Sequence, residues 1–501
     1  MNQPSFETGI PTPVPGVIKR RLHRFLASGS HYSIVSWLFL RGLALIYLAA
    51  FASMSVQIEG LIGSQGILPI QPKLTEIAQF YTNDKYLEFP TLFWFAASDR
   101  ALRLVCYAGI AASVLLLLNV LLLPALILCY LLYLSVTVAG QDFLSFQWDV
   151  FLLEAGFMGI FLYWGSEIMV FLYRWLIARF MFMGGLVKLA SGDPTWANLT
   201  ALNYHYLTEP LPSPLAYYAY FLPEWFHKLC VAGVFVIELI VPFFVFLPRP
   251  FRLFAAWSFI ALQSAIILTG NYNFFNLLTI LLCLWLFDDR DFSGRLPTRL
   301  VARIQKNQPQ PGFAAHVFAG SWTLLVLFVC AVTAWMHNTE GRTPQPLRSL
   351  VLMTSTFSVI NQYGPFAVMT TERPEIIIEG SNDGKTWQAY EFNYKPGDLS
   401  RALRWNIPHQ PRLDWQLWFA ALRHPRLDSW FAAFMARLQE GSPPVLALLR
   451  FNPFPDHPPV FVRAMLYRYD YSRPEVRKET GHIWRRELLG QYWPPPYPEL
   501  G

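Results

Sequence analysis

Charge is scarce in this chain. Only 14% of its 501 residues are Asp, Glu, Lys or Arg, where soluble domains carry about a quarter, and the deficit falls on the first two thirds. A soluble globular reading is excluded there. Cysteine is scarce too. All five (Cys106, Cys129, Cys230, Cys283 and Cys330) sit in apolar segments, and none follows Cys330. The C-terminal third therefore has no disulfide framework, and the thiols are expected to pack as small hydrophobes. The sequence also has no Cys/His cluster at zinc spacing, no P-loop, no H-E-x-x-H, no nucleophile elbow and no RNP pattern. No metal, no cofactor and no nucleic-acid partner are implied, and a hydrolase or metalloprotease is disfavoured. The net charge of +6 says little about partners, because Lys and Arg flank the apolar runs, where topology explains them.

What the chain does have is long apolar runs. Several, of about 17–22 residues, suffice to cross a bilayer. The first, near 33–54, follows the basic stretch Lys19, Arg20, Arg21 and Arg24. It is longer than a signal-peptide core and holds Arg41, so an uncleaved span is expected. Residues 104–137 are too long for one span, and Asn119 and Pro124 mark a break into two. Further runs at 150–164, 168–189, 225–246, 251–268, 274–287 and 314–335 bring the expectation to about nine, the short 274–287 run being a re-entrant candidate.

The expected organisation is a cytoplasmic basic tail (1–30) and a polytopic all-α bundle (31–336) with external loops 55–101 and 190–224. A C-terminal extracytoplasmic α+β domain (343–501) with β-sandwich character follows. An odd span count with the tail inside leaves Arg249, Arg252, Arg290, Arg295, Arg299, Arg303 and Lys306 on inside loops, as the positive-inside rule requires. In the C-terminal domain, Glu375–Glu379, Ser381-Asn-Asp-Gly384 and Thr386–Phe392 read as strand, turn, strand. Leu413–Leu438 reads as a Trp-rich helical stretch, Val460–Tyr471 as a strand and the Trp-Pro-Pro-Pro end as irregular.

Several blocks resemble the lipase maturation factor family. They are Phe39-Leu-Arg-Gly-Leu43, Leu61-Ile-Gly-Ser-Gln-Gly-Ile-Leu-Pro69, Gln147-Trp-Asp-Val-Phe-Leu-Leu-Glu154, and Gly185–Trp196. Asn198–Tyr206, Gly270-Asn-Tyr-Asn-Phe-Phe-Asn276, Thr371–Gly384 and His409-Gln-Pro-Arg-Leu-Asp-Trp415 complete the set, in family order over roughly 35–490. The resemblance implies a multi-pass protein of the endoplasmic-reticulum membrane that helps secreted lipases fold. A compact chain with a cysteine-free external module fits a bacterial inner-membrane homologue at least as well. The partners so implied are secreted client proteins and the bilayer; the client-binding surface and oligomeric state are not legible.

Ionisable residues within spans are costly and are functional candidates by default. Arg41, Glu154, Arg174, Arg179, Lys188 and Glu238 qualify. The plainer reading is that they pair to lock the bundle, with Arg174 and Arg179 snorkelling to the interface. Lys188 closes the fifth run, before a loop with Asp193, Trp196, Asn203, His205 and Glu209. A lysine in low dielectric can serve as a base. Gly185-Leu-Val-Lys-Leu189 is also similar to the Gly-Val-Lys-Lys-Leu stretch of vitamin K-dependent γ-carboxylases, whose second lysine acts as base; Val187 replaces the first lysine here. That resemblance implies the alternative: a membrane enzyme acting on extracytoplasmic protein or lipid, with Lys188 as base. His205 is a second catalytic candidate, against the plainer reading of a packed loop histidine.

Asn271, Asn273 and Asn276 could line a pocket at a span break or, more simply, stabilise unwound backbone. Asn198-Leu-Thr200 is a sequon or a helix cap. Asp383 is a remote calcium-ligand candidate, since turn chemistry already explains it. Trp405, Trp415, Trp418, Trp430, Phe431 and Phe434 are client-surface candidates, or core at helical spacing. A transporter ranks last, because no inverted repeat is visible.

Overall fold

The computed structural model describes residues 32–81, 84–163, 167–306, 312–337, 343–425 and 428–495. The expected basic tail and part of the Trp-Pro-Pro-Pro end lie outside them. Seven helices are long and apolar enough to cross a membrane. They are α1 (Ser33–Ser55), α2 (Asp99–Leu118), α3 (Leu122–Ala139), α5 (Glu167–Ala190), α6 (Glu224–Phe244), α7 (Arg249–Thr269) and α10 (Phe313–Met336). Two of the expected runs are shorter: α4 (Gln147–Leu162) and α8 (Phe275–Leu286). The bundle is therefore nine apolar helices among the described residues, seven of them of spanning length. The amphipathic helix α9 (Thr298–Lys306) lies between α8 and α10.

The two short helices are tolerated because protein, not lipid, surrounds them. Helix α4 is buried on nearly every face, including Asp149 and Glu154, and α8 opens from an unwound segment held by asparagine amides. Polar backbone at membrane depth survives only where protein meets its hydrogen bonds. The α2–α3 break falls where expected: Asn119 ends α2 in the left-handed conformation, and Leu121 precedes α3 likewise.

The two ends of the bundle differ in chemistry. At one, Asp289 accepts the backbone N–H groups of Ser33, Ile34 and Val35 at 2.8, 2.9 and 3.1 Å, neutralising the start of α1. Arg249 and Arg252 pair with Asp288 there, and Arg174 donates to the Trp285 carbonyl (2.9 Å) and the Tyr32 hydroxyl (2.7 Å). The other end carries the C-terminal module. The seven basic residues expected on inside loops all belong to the first end.

The module is built on one antiparallel sheet of order β2-β1-β3-β4, with β1 Arg373–Ser381, β2 Gln388–Ala389, β3 Phe461–Tyr471 and β4 Trp484–Trp493. Glu375 pairs with Tyr467 and Gly380 with Val462. No second sheet forms among the described residues, so the expected sandwich character takes another shape. One face of the sheet, through Ile376, Ile378 and Ala464, packs on α11 (Arg412–Ala421) and α12 (Ser429–Gln439). Ile377, Tyr469 and Trp484 instead pack on Leu207 and Tyr217 of the 190–224 loop. Consecutive isoleucines in β1 thus serve two cores, which is why the strand does not alternate apolar with polar.

The module's approach to the first loop is close enough to require glycine. A Cβ on Gly60 would lie 2.3 Å from the Pro444 carbonyl oxygen, a backbone atom. Gly60→Ala should lower stability by about 1–3 kcal/mol, read as a drop in the thermal unfolding midpoint in detergent. Gly233→Ala, whose Cβ meets nothing within 4 Å, should not lower it.

Candidate polar junction between bundle and module

Most chemistry-bearing residues converge where the module meets the bundle. Asp149 begins α4 and is fully buried. Arg412 reaches it from 263 residues along the chain, placing both terminal nitrogens on the carboxylate at 2.6 and 2.7 Å. The Tyr133 hydroxyl donates to the same carboxylate at 2.6 Å, and Arg412 also donates to the Phe143 carbonyl at 3.0 Å. Such a two-pronged, charge-assisted pair is among the strongest polar contacts a protein makes. Beside it the end of α1 is stitched to the module. Gln57 donates to the Gln410 carbonyl at 2.8 Å and accepts from the Arg412 N–H at 2.9 Å. Ser53 bonds His409 Nδ1 at 2.9 Å.

A second buried cluster fastens the 190–224 loop. Arg373, fully buried, donates to the carbonyls of Leu207 (2.7 Å), Glu209 (2.6 Å) and Pro210 (3.0 Å), and to Glu375 (2.7 Å). Lys395 is a second cation on Glu375, at 3.1 Å. Glu209 itself points to Tyr272, whose hydroxyl donates to it at 3.4 Å. Burial raises its carboxyl well above the usual range, opposed by Arg373.

The predicted intramembrane residues fall into three kinds. Glu154 pairs with Arg179 and accepts from the Tyr363 hydroxyl (2.7 Å), the Asn361 N–H (3.0 Å) and the Asn361 amide (3.1 Å). Arg179 therefore does not snorkel. Its side chain is 8% exposed and caught between Glu154 and Cys330, because a paired carboxylate inside the bundle outcompetes the distant interface. Lys188 and Glu238 form the second pair, with the ammonium 2.9 and 2.6 Å from the two carboxylate oxygens and 3.1 Å from the Gly184 carbonyl. Glu238 lies in the π-helical turn Val236–Ile240. Gly184 and Gly185 leave space for it; a Cβ on Gly185 would sit 2.9 Å from Glu238 Cβ. Arg174 and Arg41 form the third kind: neither meets a carboxylate among the described residues, and Arg174 bonds at the basic end as above.

The loop residues after Lys188 are occupied in structure. Asp193 caps the helix Pro194–Ala197 through the Thr195 N–H (2.7 Å) and accepts the Met369 N–H (2.6 Å). Trp196 stacks under the Lys188 ammonium at 5.4 Å and donates to the Phe366 carbonyl. His205 lies edge-on to Phe366 and Tyr206. Burial and the Lys188 charge push its imidazole down to about 4. Asn203 bonds His227 at 2.8 Å, and Asn198 of the sequon is exposed.

The three asparagines are engaged as well. Asn271 donates to the carbonyls of Leu211 (3.1 Å) and Arg404 (2.9 Å) and accepts from the Asn406 N–H. Asn273 donates to Gln410 at 2.8 Å and accepts from the Phe275 N–H. Asn276 donates to Gln263 at 2.6 Å. Asp383 is filled by its own turn, accepting from the N–H groups of Lys385 and Thr386 and the hydroxyls of Ser381 and Thr386; those N–H groups hold its carboxyl below the usual range. Among the described residues no His/Cys/Asp/Glu group could hold a metal ion. Trp415, Trp430, Phe431 and Phe434 are core, Trp418 is partly covered, and Trp405 is exposed.

Sequence reasoning did not single out Asp149, Arg373 or Lys395 as site residues, and it reached Glu375 and Arg412 only as members of the segments Glu375–Gly384 and His409–Trp415 that a client-holding role would depend on. Asp149, Arg373, Glu375 and Arg412 lie in the very blocks that carry the family resemblance. The lipase maturation factor transmembrane domain matches residues 34–294, and the lipase maturation factor C-terminal domain matches 359–494. The chain belongs to the lipase maturation factor family. It is 34% identical to lipase maturation factor 2 of Gallus gallus over 91% of this chain and 80% of that one. Against lipase maturation factor 1 of Homo sapiens the identity is also 34%, covering 91% and 86%. No solved structure matches significantly. Both family domains meet at the junction, Asp149 belonging to one match and Arg412 to the other.

Two predictions concern this junction. Lys188→Met alone strands the Glu238 carboxylate in the bundle and should cost about 3–5 kcal/mol. Lys188→Met with Glu238→Leu should recover most of that loss in the same unfolding assay. His409 is pushed down to about 4 by burial and by Arg412. The unfolded state then binds more protons between about pH 6.5 and 4, so this contribution is lost as pH falls through that window. The drop in midpoint between pH 7 and pH 5 should be smaller in His409→Asn than in the unaltered protein.

Proposed function

We propose that this family member is a membrane-anchored maturation factor for secreted proteins, with lipases as its client class. The bundle anchors it, and the C-terminal module together with the 190–224 loop forms the extracytoplasmic surface that meets the client. The N-terminus is cytoplasmic. The membrane is that of the endoplasmic reticulum in a eukaryote or the inner membrane in a bacterium.

The observation that carries this reading is the similarity across both family domains to proteins named lipase maturation factors. The fixed junction supports it: a surface for another chain is useful when held rigidly at the membrane. Clustering of Arg249, Arg252 and the α9 cations at the end away from the module supports the orientation, since basic loops stay in the cytoplasm. The γ-carboxylase-like alternative is not favoured. A catalytic base needs a free lone pair, whereas Lys188 donates to both oxygens of Glu238 and to a carbonyl.

The test is the specific activity, per mass, of secreted lipases and other exported hydrolases in three strains. Deleting the gene should lower lipase activity several-fold. A strain carrying Lys188→Met with Glu238→Leu at normal protein level should retain it. Equal loss in both strains would make Lys188 chemistry the leading account, and no loss on deletion would remove lipases as clients.

A further inference from the structure

Among the described residues, the basic end of the bundle holds a surplus of cations over carboxylates. Its aspartates are already committed: Asp288 to Arg249 and Arg252, Asp291 to Arg249, and Asp289 to the first N–H groups of α1. Helix α9 packs against α1. Its residues Leu300, Val301 and Ile304 turn inward, while Arg299, Arg303 and Lys306 are exposed. Among the described residues no carboxylate pairs with these three cations.

A second observation lies on α1. Arg41 shares a partly exposed stripe with Leu38 and Leu45. Its guanidinium folds back over the Trp37 ring at 4.6 Å, and one nitrogen donates to the Trp37 carbonyl at 3.3 Å. The other terminal nitrogen is buried and has no hydrogen-bond partner among the described residues. Arg41 is eight residues past Ser33, about 12 Å down the helix, and the fold-back returns its charge by about one turn toward the basic end. A buried guanidinium N–H with no partner is costly. Swinging away from the Trp37 ring along the partly exposed stripe, the guanidinium would meet a phosphate oxygen with a charge-assisted bond.

We infer that Arg41 and α9 (Arg299, Arg303 and Lys306) form a binding site for the headgroup phosphate of an acidic phospholipid in the leaflet opposite the C-terminal module. The occupant is a lipid rather than a soluble anion, because the cations flank a membrane span and Arg41 lies on the partly exposed stripe of that span. Basic residues near an acidic leaflet each contribute about fivefold in affinity. A purely topological role for these residues predicts no preference among lipids.

The test uses the full chain purified in neutral detergent and titrated with dioleoyl phosphatidylglycerol or dioleoyl phosphatidylcholine. Bound lipid is counted by native mass spectrometry, and the unfolding midpoint is followed in parallel. Phosphatidylglycerol should bind at least tenfold more tightly and raise the midpoint. The Arg299→Gln, Arg303→Gln, Lys306→Gln triple variant should lose most of that preference. Arg41→Gln should weaken binding further, and Arg41→Lys should keep part of it. Equal binding of the two lipids, or an undiminished preference in the triple variant, overturns the inference. Displacement of the lipid by millimolar glycerol phosphate would mark a soluble-anion site and overturns it too. The triple variant alters only exposed side chains, so the result can be read even if Arg41→Gln does not fold.

Discussion

Asp149 is a carboxylate in a place where water cannot solvate it, and that constraint organises the molecule. An ionised group inside an apolar bundle must be met by a cation and by hydrogen bonds to its remaining lone pairs, or folding becomes unfavourable. Glu154 and Glu238 find their cations, Arg179 and Lys188, within the bundle. Asp149 finds Arg412, which belongs to the C-terminal module. The membrane region therefore cannot complete its own polar bookkeeping, and the module is part of its fold rather than a tethered addition.

The module depends on the bundle in return. Its sheet has two apolar faces, and only one is covered by α11 and α12; the other is closed by the 190–224 loop, which is held at both ends by membrane helices. Arg373 gathers three carbonyls of that loop, so the loop is fixed by hydrogen bonds as well as by packing. Asn271 and Asn273 extend the same stitching to the mouth of α8. Each segment that looks like a connection in the sequence is a structural wall in the folded chain.

This explains what the sequence made legible. Nine apolar segments could be read because hydropathy is local, and a run either can or cannot tolerate lipid. The α2–α3 break and the Ser381–Gly384 turn were legible for the same reason: Asn, Pro, Asp and Gly impose their backbone preferences on immediate neighbours. Which acid meets which cation is not local. Arg179 reads as an interfacial arginine until Glu154 is seen beside it, and Asp149 reads as an ordinary helix-start acid until Arg412 arrives from 263 residues away. The paired sheet faces were hidden similarly, since three consecutive buried isoleucines carry no period that reveals two cores.

The two ends of the bundle differ in how their charge is balanced, and the difference bears on orientation. At the junction, buried carboxylates meet cations in dry surroundings: Asp149 meets Arg412, and Glu375 meets both Arg373 and Lys395. At the opposite end Asp288, Asp289 and Asp291 are all consumed by Arg249, Arg252 and the start of α1, and the remaining arginines and lysine face outward. The same carboxylates that stabilise the fold thus leave exposed cations, unpaired among the described residues, beside the membrane helices at the basic end, the pattern that the positive-inside rule reads.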